Sequence, residues 1–246
     1  VPLKDFGLEW IYPEASLVHA LTPDRAVVLY PDMEKTIAGL GVDGDAYRRL
    51  LAPFMPKADA LLSQILQPFN PFPKTPILMA RFGLRGMSSA VSLANRYFKE
   101  DAAKGLFAGM AGHSVLPLEQ SFTGAVGLMF GVIGHLVSWP IAKGGSQAIA
   151  HAMARYLQSL GGEIVVQCPV KKIDDLPEAR AYLFNTTPSA MSAIADDSLP
   201  APYRRKLEAF RHGPGVYKID WALSGPIPWK NEDFKKAATV HIGGTL

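Results

Sequence analysis

The stretch KGGSQAIAHAMARYLQSLGGEIVVQCPVKKI, from Lys143 to Ile173, constrains the fold more than any other part of the chain. A glycine pair opens it, a helical run follows, and a second glycine pair releases the chain into an apolar, β-branched segment. Ile149, Met153, Tyr156, Leu157 and Leu160 recur on one face of that helix, with His151, Arg155 and Ser159 on the other. Ser146 stands where an N-cap accepts a first-turn N–H, and Gly161 suits the left-handed position after the last turn. A second β-type run, AYLFN, leads into TTP, where Thr187 caps a helix beginning at Pro188. The whole reads as a β-α-β unit.

Upstream, LEWIYPEASLVHAL and RAVVLY read as strands joined through the Pro-Asp turn TPDR. Helical runs follow: MEKTIAGL capped by Asp32, a second from Asp43, and KADALLSQILQ, which ends in the proline-rich PFNPFPKTP. SSAVSLANRYF and EDAAKGLFAGMAGHS predict two more helices, the second with acids in its first turn, where they suit the helix dipole. Beyond the β-α-β unit, PYRRKLEAFRHG reads as helix, and GVYKIDWAL and ATVHI as strands. The expected class is therefore α/β of the mixed, α+β kind. Residues 1–139 form a hairpin with an apolar helical layer, 140–199 the β-α-β segment, and 200–246 a return to the first part's sheet.

The run FTGAVGLMFGVIGHLVSW, Phe122 to Trp139, carries no formal charge, and Gly127 and Gly131 form a GxxxG pair. Four glycines, His135 and the bounding Pro140 favour a buried helix over a membrane span. Contact with a membrane surface is kept as a second reading, with Arg81, Arg85, Arg96 and Lys99 either able to meet anionic lipid or forming a solvated helix face. A net charge of +3 with interspersed signs argues against a nucleic-acid footprint. The single cysteine, Cys168, forms no internal disulfide and fits a reducing compartment. With no leader or targeting tail, a cytoplasmic, membrane-peripheral location is expected. The two ends read as cuts in a longer polypeptide.

Two motifs invite chemistry and are explained without it. GLGVDG, Gly39 to Gly44, matches G-x-G-x-x-G, but a helical pattern precedes it and Asp43 would face the phosphates, so it reads as a helix-helix turn. GGSQA, Gly144 to Ala148, approaches a nucleophile elbow, and Asp220 and His241 follow Ser146 in the order a hydrolase triad needs. Pro140 and Lys143 interrupt the strand such an elbow requires, and capping already employs Ser146. The histidines have no metal-motif spacing and read individually as structural.

The order of the motifs carries a resemblance. WPIAKGGSQAIAHAMARYLQSLGGEIVVQCPVKKI followed by ARAYLFNTTP resembles the middle of phytoene desaturase-like oxidoreductases, within the amine-oxidase-type flavoprotein superfamily. DFGLEWIYPEASLVHAL…RAVVLY and PGVYKIDWALSGPIPW look like that group's substrate-domain segments. The resemblance implies FAD held by separated chain segments and hydride transfer from an apolar small molecule to the flavin. Gly144, Gly145 and Ser146 match the paired-glycine helix start that bridges the flavin and substrate domains. Val170 matches the residue whose backbone faces the adenine. Thr186, Thr187 and Pro188 match the turn nearest the ribityl-pyrophosphate region. His113 and Trp139 read either as packed in the core or as substrate contacts, Trp139 then as a flat apolar surface and His113 as a polar handle. No catalytic acid or base is expected. The family's N-terminal phosphate-binding fingerprint and its ring-contacting C-terminal segment are absent here. FAD is thus expected in an intact protein and not to be retained by this chain, whose partners would be those missing segments and a hydrophobic substrate. The alternatives are a non-catalytic domain binding apolar ligands or membrane surfaces, and then a serine hydrolase using Ser146.

Overall fold

The computed structural model describes residues 1–68 and 70–246, and the class is α+β. By its internal contacts the chain divides into a first unit, residues 1–153 with 222–246, and a second, residues 154–221.

The first unit is built on a three-stranded sheet and a helical layer. Its strands are β1 (Trp10–Ile11), β2 (Leu17–Thr22), β3 (Arg25–Leu29), β4 (Ile141–Ala142) and β5 (Val240–Ile242). Strands β2 and β3 form the expected antiparallel hairpin, with Thr22 to Arg25 at its turn. Strand β5 adds to β2 in parallel, pairing His19 with His241. The first predicted strand divides in two, because Pro13 interrupts it. Its leading part, β1, pairs antiparallel with β4 instead of joining the hairpin.

Alternation along β2 gives the sheet two apolar faces. Leu17, with Val27 and Leu29 of β3, faces the helical layer, while Val18 and Ala20 pack with Phe234 on the other side. The layer comprises α1 (Met33–Gly39), α2 (Gly44–Leu51), α3 (Ala58–Ile65), α4 (Pro76–Gly86), α5 (Ala90–Tyr97), α6 (Asp101–Ala111) and α7 (Thr123–Leu136). Tyr47, Phe54, Phe107, Met110 and Leu128 are fully buried in it. GLGVDG lies between α1 and α2, and the buried Asp43 carboxylate accepts the N–H groups of Lys99 and Glu100 at the start of α6. That arrangement satisfies backbone donors of a helix start, the opposite of presenting donors to a phosphate.

Helix α7 takes up most of the charge-free run. Its fourteen residues extend about 21 Å, short of the roughly 30 Å of a hydrocarbon core. Among the described residues no helix is long and apolar enough to cross a membrane. The glycines of α7 serve packing: a methyl at Gly127 would meet the Phe107 ring at 2.8 Å, and one at Gly131 would meet Leu51 at 3.0 Å. His135 is structural as read, with Tyr47 Oη 2.9 Å from its Nε2 and the Pro31 carbonyl 3.3 Å from its Nδ1.

Helix α8 (Gln147–Ser159) starts directly after Ser146 and ends before Gly161, and the division between units falls inside it. Gly161 has a φ of 83°, and the Gly162 N–H reaches back to the Leu157 carbonyl at 3.0 Å. In the second unit α9 (Pro188–Ala195) packs on α10 (Ala201–Glu208). The predicted strands EIVVQ, AYLFN and GVYKIDWAL carry no ladder. A β-type segment needs a neighbouring edge and a face to cover it, and Val165, Val166 and Leu183 are exposed, Leu183 at 97%.

Candidate functional site

Where β2, β5, α6 and the end of α7 meet, three histidines and two aromatic rings cluster in the first unit. The parallel pairing of His19 with His241 sets both imidazoles on the sheet face that α6 covers. Helix α6 can lie close because Gly105 and Gly109, one turn apart, have no side chains. A methyl at Gly105 would fall 2.9 Å from Leu21, and one at Gly109 would fall onto His19 Nδ1 and 2.7 Å from His241 Nδ1.

His113 follows α6 in a 3-10 turn, Gly112–Ser114. Its ring stacks on Phe130 of α7, with centroids 4.4 Å apart, and meets Trp139 edge-on at 5.8 Å. His113 Nε2 lies 3.1 Å from His241 Nε2, so one ring donates and the other accepts. His19 Nε2 donates to the Gly244 carbonyl at 2.8 Å, which fixes its tautomer when the ring is neutral. The cluster is graded in depth: His19 is buried, Trp139, Phe130 and His241 are half-buried, and His113 is exposed.

Three polar atoms here are buried and unpartnered: Nδ1 of His19, Nδ1 of His241 and Nε1 of Trp139. Each costs on the order of 1–3 kcal/mol if left unpaired, so a cluster of them marks a candidate place for a bound group. Burial holds all three imidazoles below their ordinary range; His241, with His113 and His19 also beside it, is pushed down to about 4. The site is therefore neutral at physiological pH. It offers flat apolar faces with one indole donor and imidazole nitrogens, and no carboxylate. Among the described residues no group of three ligating side chains converges on a metal position.

The two residues expected at a substrate surface, His113 and Trp139, are thus in ring contact with each other. Sequence reasoning missed His19, His241 and Phe130 as their companions. The available signal was the Gly105/Gly109 spacing on α6, which marks close approach of another element.

Past Trp139 the chain forms β4 and then the glycine turn. Gly144 and Gly145 adopt φ of 81° and 92°, and the space a side chain would occupy at each is open. Ser146 immediately precedes α8 and is exposed; its carbonyl accepts the Ile149 N–H. The Gly145 N–H is taken by the Ala142 carbonyl, and Lys143 pairs with Glu9. The open space at Gly144 and Gly145 would let a flat group approach the backbone, while the Gly145 N–H and the Lys143 ammonium are already engaged. The turn does not supply the several donors of a whole pyrophosphate site.

In the second unit Val170 is half-buried and Thr186 exposed, while Thr187 caps α9 by accepting the Ala190 N–H at 3.2 Å, with Pro188 the first helical residue. The would-be hydrolase partners are engaged elsewhere: Asp220 with Lys218, and His241 with His113. No protein-family model matches the chain, and no curated protein matches it.

Proposed function

We propose that this chain is the substrate-side portion of a flavin-dependent oxidoreductase that takes hydride from an apolar small molecule. The observation that carries the reading is the connection from Trp139 to Ser146. One end of that short segment lies in a half-open aromatic cluster, and the other presents an open backbone of left-handed glycines at a helix start. Hydride transfer needs substrate and flavin held side by side, and a connector with an apolar contact at one end and a cofactor contact at the other suits that need.

The residues then divide the work. Trp139 and Phe130 hold the substrate by flat contact, and His113 orients a polar substituent through its exposed ring edge. Gly144, Gly145 and Ser146 admit the cofactor to the backbone. Val170, Thr186, Thr187 and Pro188 contact its adenosine and ribityl-pyrophosphate portions by the family resemblance. The flavin, when bound, supplies the hydride acceptor, and no residue of the neutral histidine cluster is needed as a base. The exposed β-type segments EIVVQ and AYLFN support the same reading, since both lie in the stretch that resembles a flavin domain and both lack sheet neighbours.

The test uses the protein encoded by the whole reading frame that contains this chain. It should purify with flavin absorbance, whereas the 246-residue chain alone should retain none. Gly145→Val should lower flavin content, and Trp139→Ala should leave it intact while raising KM for apolar substrates about tenfold or more. A full-length protein that purifies without flavin, and gains none on reconstitution, would sink the proposal.

A further inference from the structure

A second feature stands apart from the histidine cluster and from the flavin reading. Between Asp59 and Glu100 the sequence has no acid and five bases. Helix α4 lies within this stretch and is apolar on both sides. Leu78 and Phe82 face the core, as an amphipathic helix requires, yet the outer face carries Ile77 and Leu84, exposed at 72% and 78%, on either side of Arg81. Phe72, in the segment leading into α4, is 84% exposed. Side chains of this size exposed together mark a docking surface.

The charges beside them indicate the partner. Lys57, Lys74 and Arg81 line one basin of about 510 Å³. None of the three has an ion-pair partner among the described residues. Asp59, two residues from Lys57, does not pair with them. Lys74 also lines an adjoining groove of about 520 Å³, walled by Ile65, Met79, Phe82, Met87 and Phe122. That volume lies within the range of about 300–1,000 Å³ typical of small-molecule sites. Arg85 is excluded from the set, since its guanidinium lies over the Phe54 ring and donates to Tyr97 Oη.

We infer that this face docks onto an anionic phospholipid bilayer. Lys57, Lys74 and Arg81 meet headgroup phosphates, Phe72, Ile77 and Leu84 enter the acyl boundary, and the groove opens toward the lipid. Unpaired cations beside large apolar side chains are the two signals that together hold a protein at a membrane surface. Among the described residues no helix is long and apolar enough to cross a membrane, so the contact proposed for this face is with the bilayer surface.

Co-sedimentation with phosphatidylcholine vesicles, with and without phosphatidylserine, tests this. The chain should bind only the vesicles containing phosphatidylserine and be released at about 1 M salt, where the screening length falls to about 3 Å. The Lys57→Gln/Lys74→Gln/Arg81→Gln variant should bind about 100-fold more weakly, about fivefold for each charge lost. Phe72→Ser/Ile77→Ser should weaken binding while leaving the salt dependence unchanged. All five positions are exposed, so the fold should persist in both variants. Equal binding of wild type and triple variant, or equal binding to both vesicle types, would overturn the inference. So would release by inorganic phosphate at matched ionic strength, which would make the basin a small-anion site. A dimer in sedimentation velocity that is lost on Phe72→Ser/Ile77→Ser would assign the face to a second copy and overturn it too.

Discussion

At the scale of single residues, His241 carries the most testable consequence. Burial and two neighbouring imidazoles hold its protonation well below that of a free ring, at about 4 against 6.5. Between those values the unfolded chain binds a proton that the folded chain refuses. Stability is therefore complete above pH 6.5, falls as the pH drops through that window, and levels off below about 4. His19 and His113 shift in the same direction. The expected loss is on the order of 2 kcal/mol, reduced from the buried limit because solvent reaches the half-buried ring. Urea unfolding across that window should show a steeper acid loss for wild type than for His241→Asn. Parallel profiles would mean that the imidazole protonates freely in the fold.

At the scale of elements, the glycines of the helical layer divide into those that fill a seam and those that do not. Gly127 of α7 abuts the fully buried Phe107 ring, which has no room to retreat, whereas Gly83 of α4 has no atom within 4 Å of the added position. Gly127→Ala should cost roughly 1–3 kcal/mol by overpacking. Gly83→Ala should gain up to about 1 kcal/mol through helix propensity. Shifts of the urea midpoint in opposite directions are expected, and a neutral Gly127→Ala would show that α7 and α6 pack less closely than described. Most helices were legible because periodicity and caps such as Asp32 and Thr187 are local signals, though α4, which follows the proline-rich stretch, was not; the β2–β3 hairpin was legible from its turn. The parallel pairing of His19 with His241 was not, since its partners lie at opposite ends of the sequence and neither strand encodes the other. EIVVQ and AYLFN misled for the converse reason: their composition suits a strand, but composition supplies no neighbour. Of the candidate site, Trp139 and His113 were legible as an aromatic and a polar residue bordering apolar helices. Their contact with each other was not.

At the scale of the whole molecule, the two units differ in what they bury. The first holds a continuous aromatic and aliphatic core, while in the second only Ser192 and Ala195 are buried. Stability is expected to be partitioned accordingly, with local opening in the second unit far below the global cost. In hydrogen exchange, amides of α6 and α7 should be strongly protected, and those of residues 163–166 and 181–185 should exchange before the first time point. Equal protection in the two sets would mean that the second unit has a core after all.

The parallel strand β5 also fixes an order of events. The hydrogen bond from His19 to the Gly244 carbonyl spans 225 residues. A ribosome that has released the hairpin and every helix of the layer still holds the strand that completes their sheet. During synthesis α6 therefore covers a lone His19, and the imidazole cluster appears only when residues 240–244 arrive. Contacts this distant along a chain form slowly, so the candidate site assembles late: a nascent chain stalled before Val240 can build its core but has no site to offer.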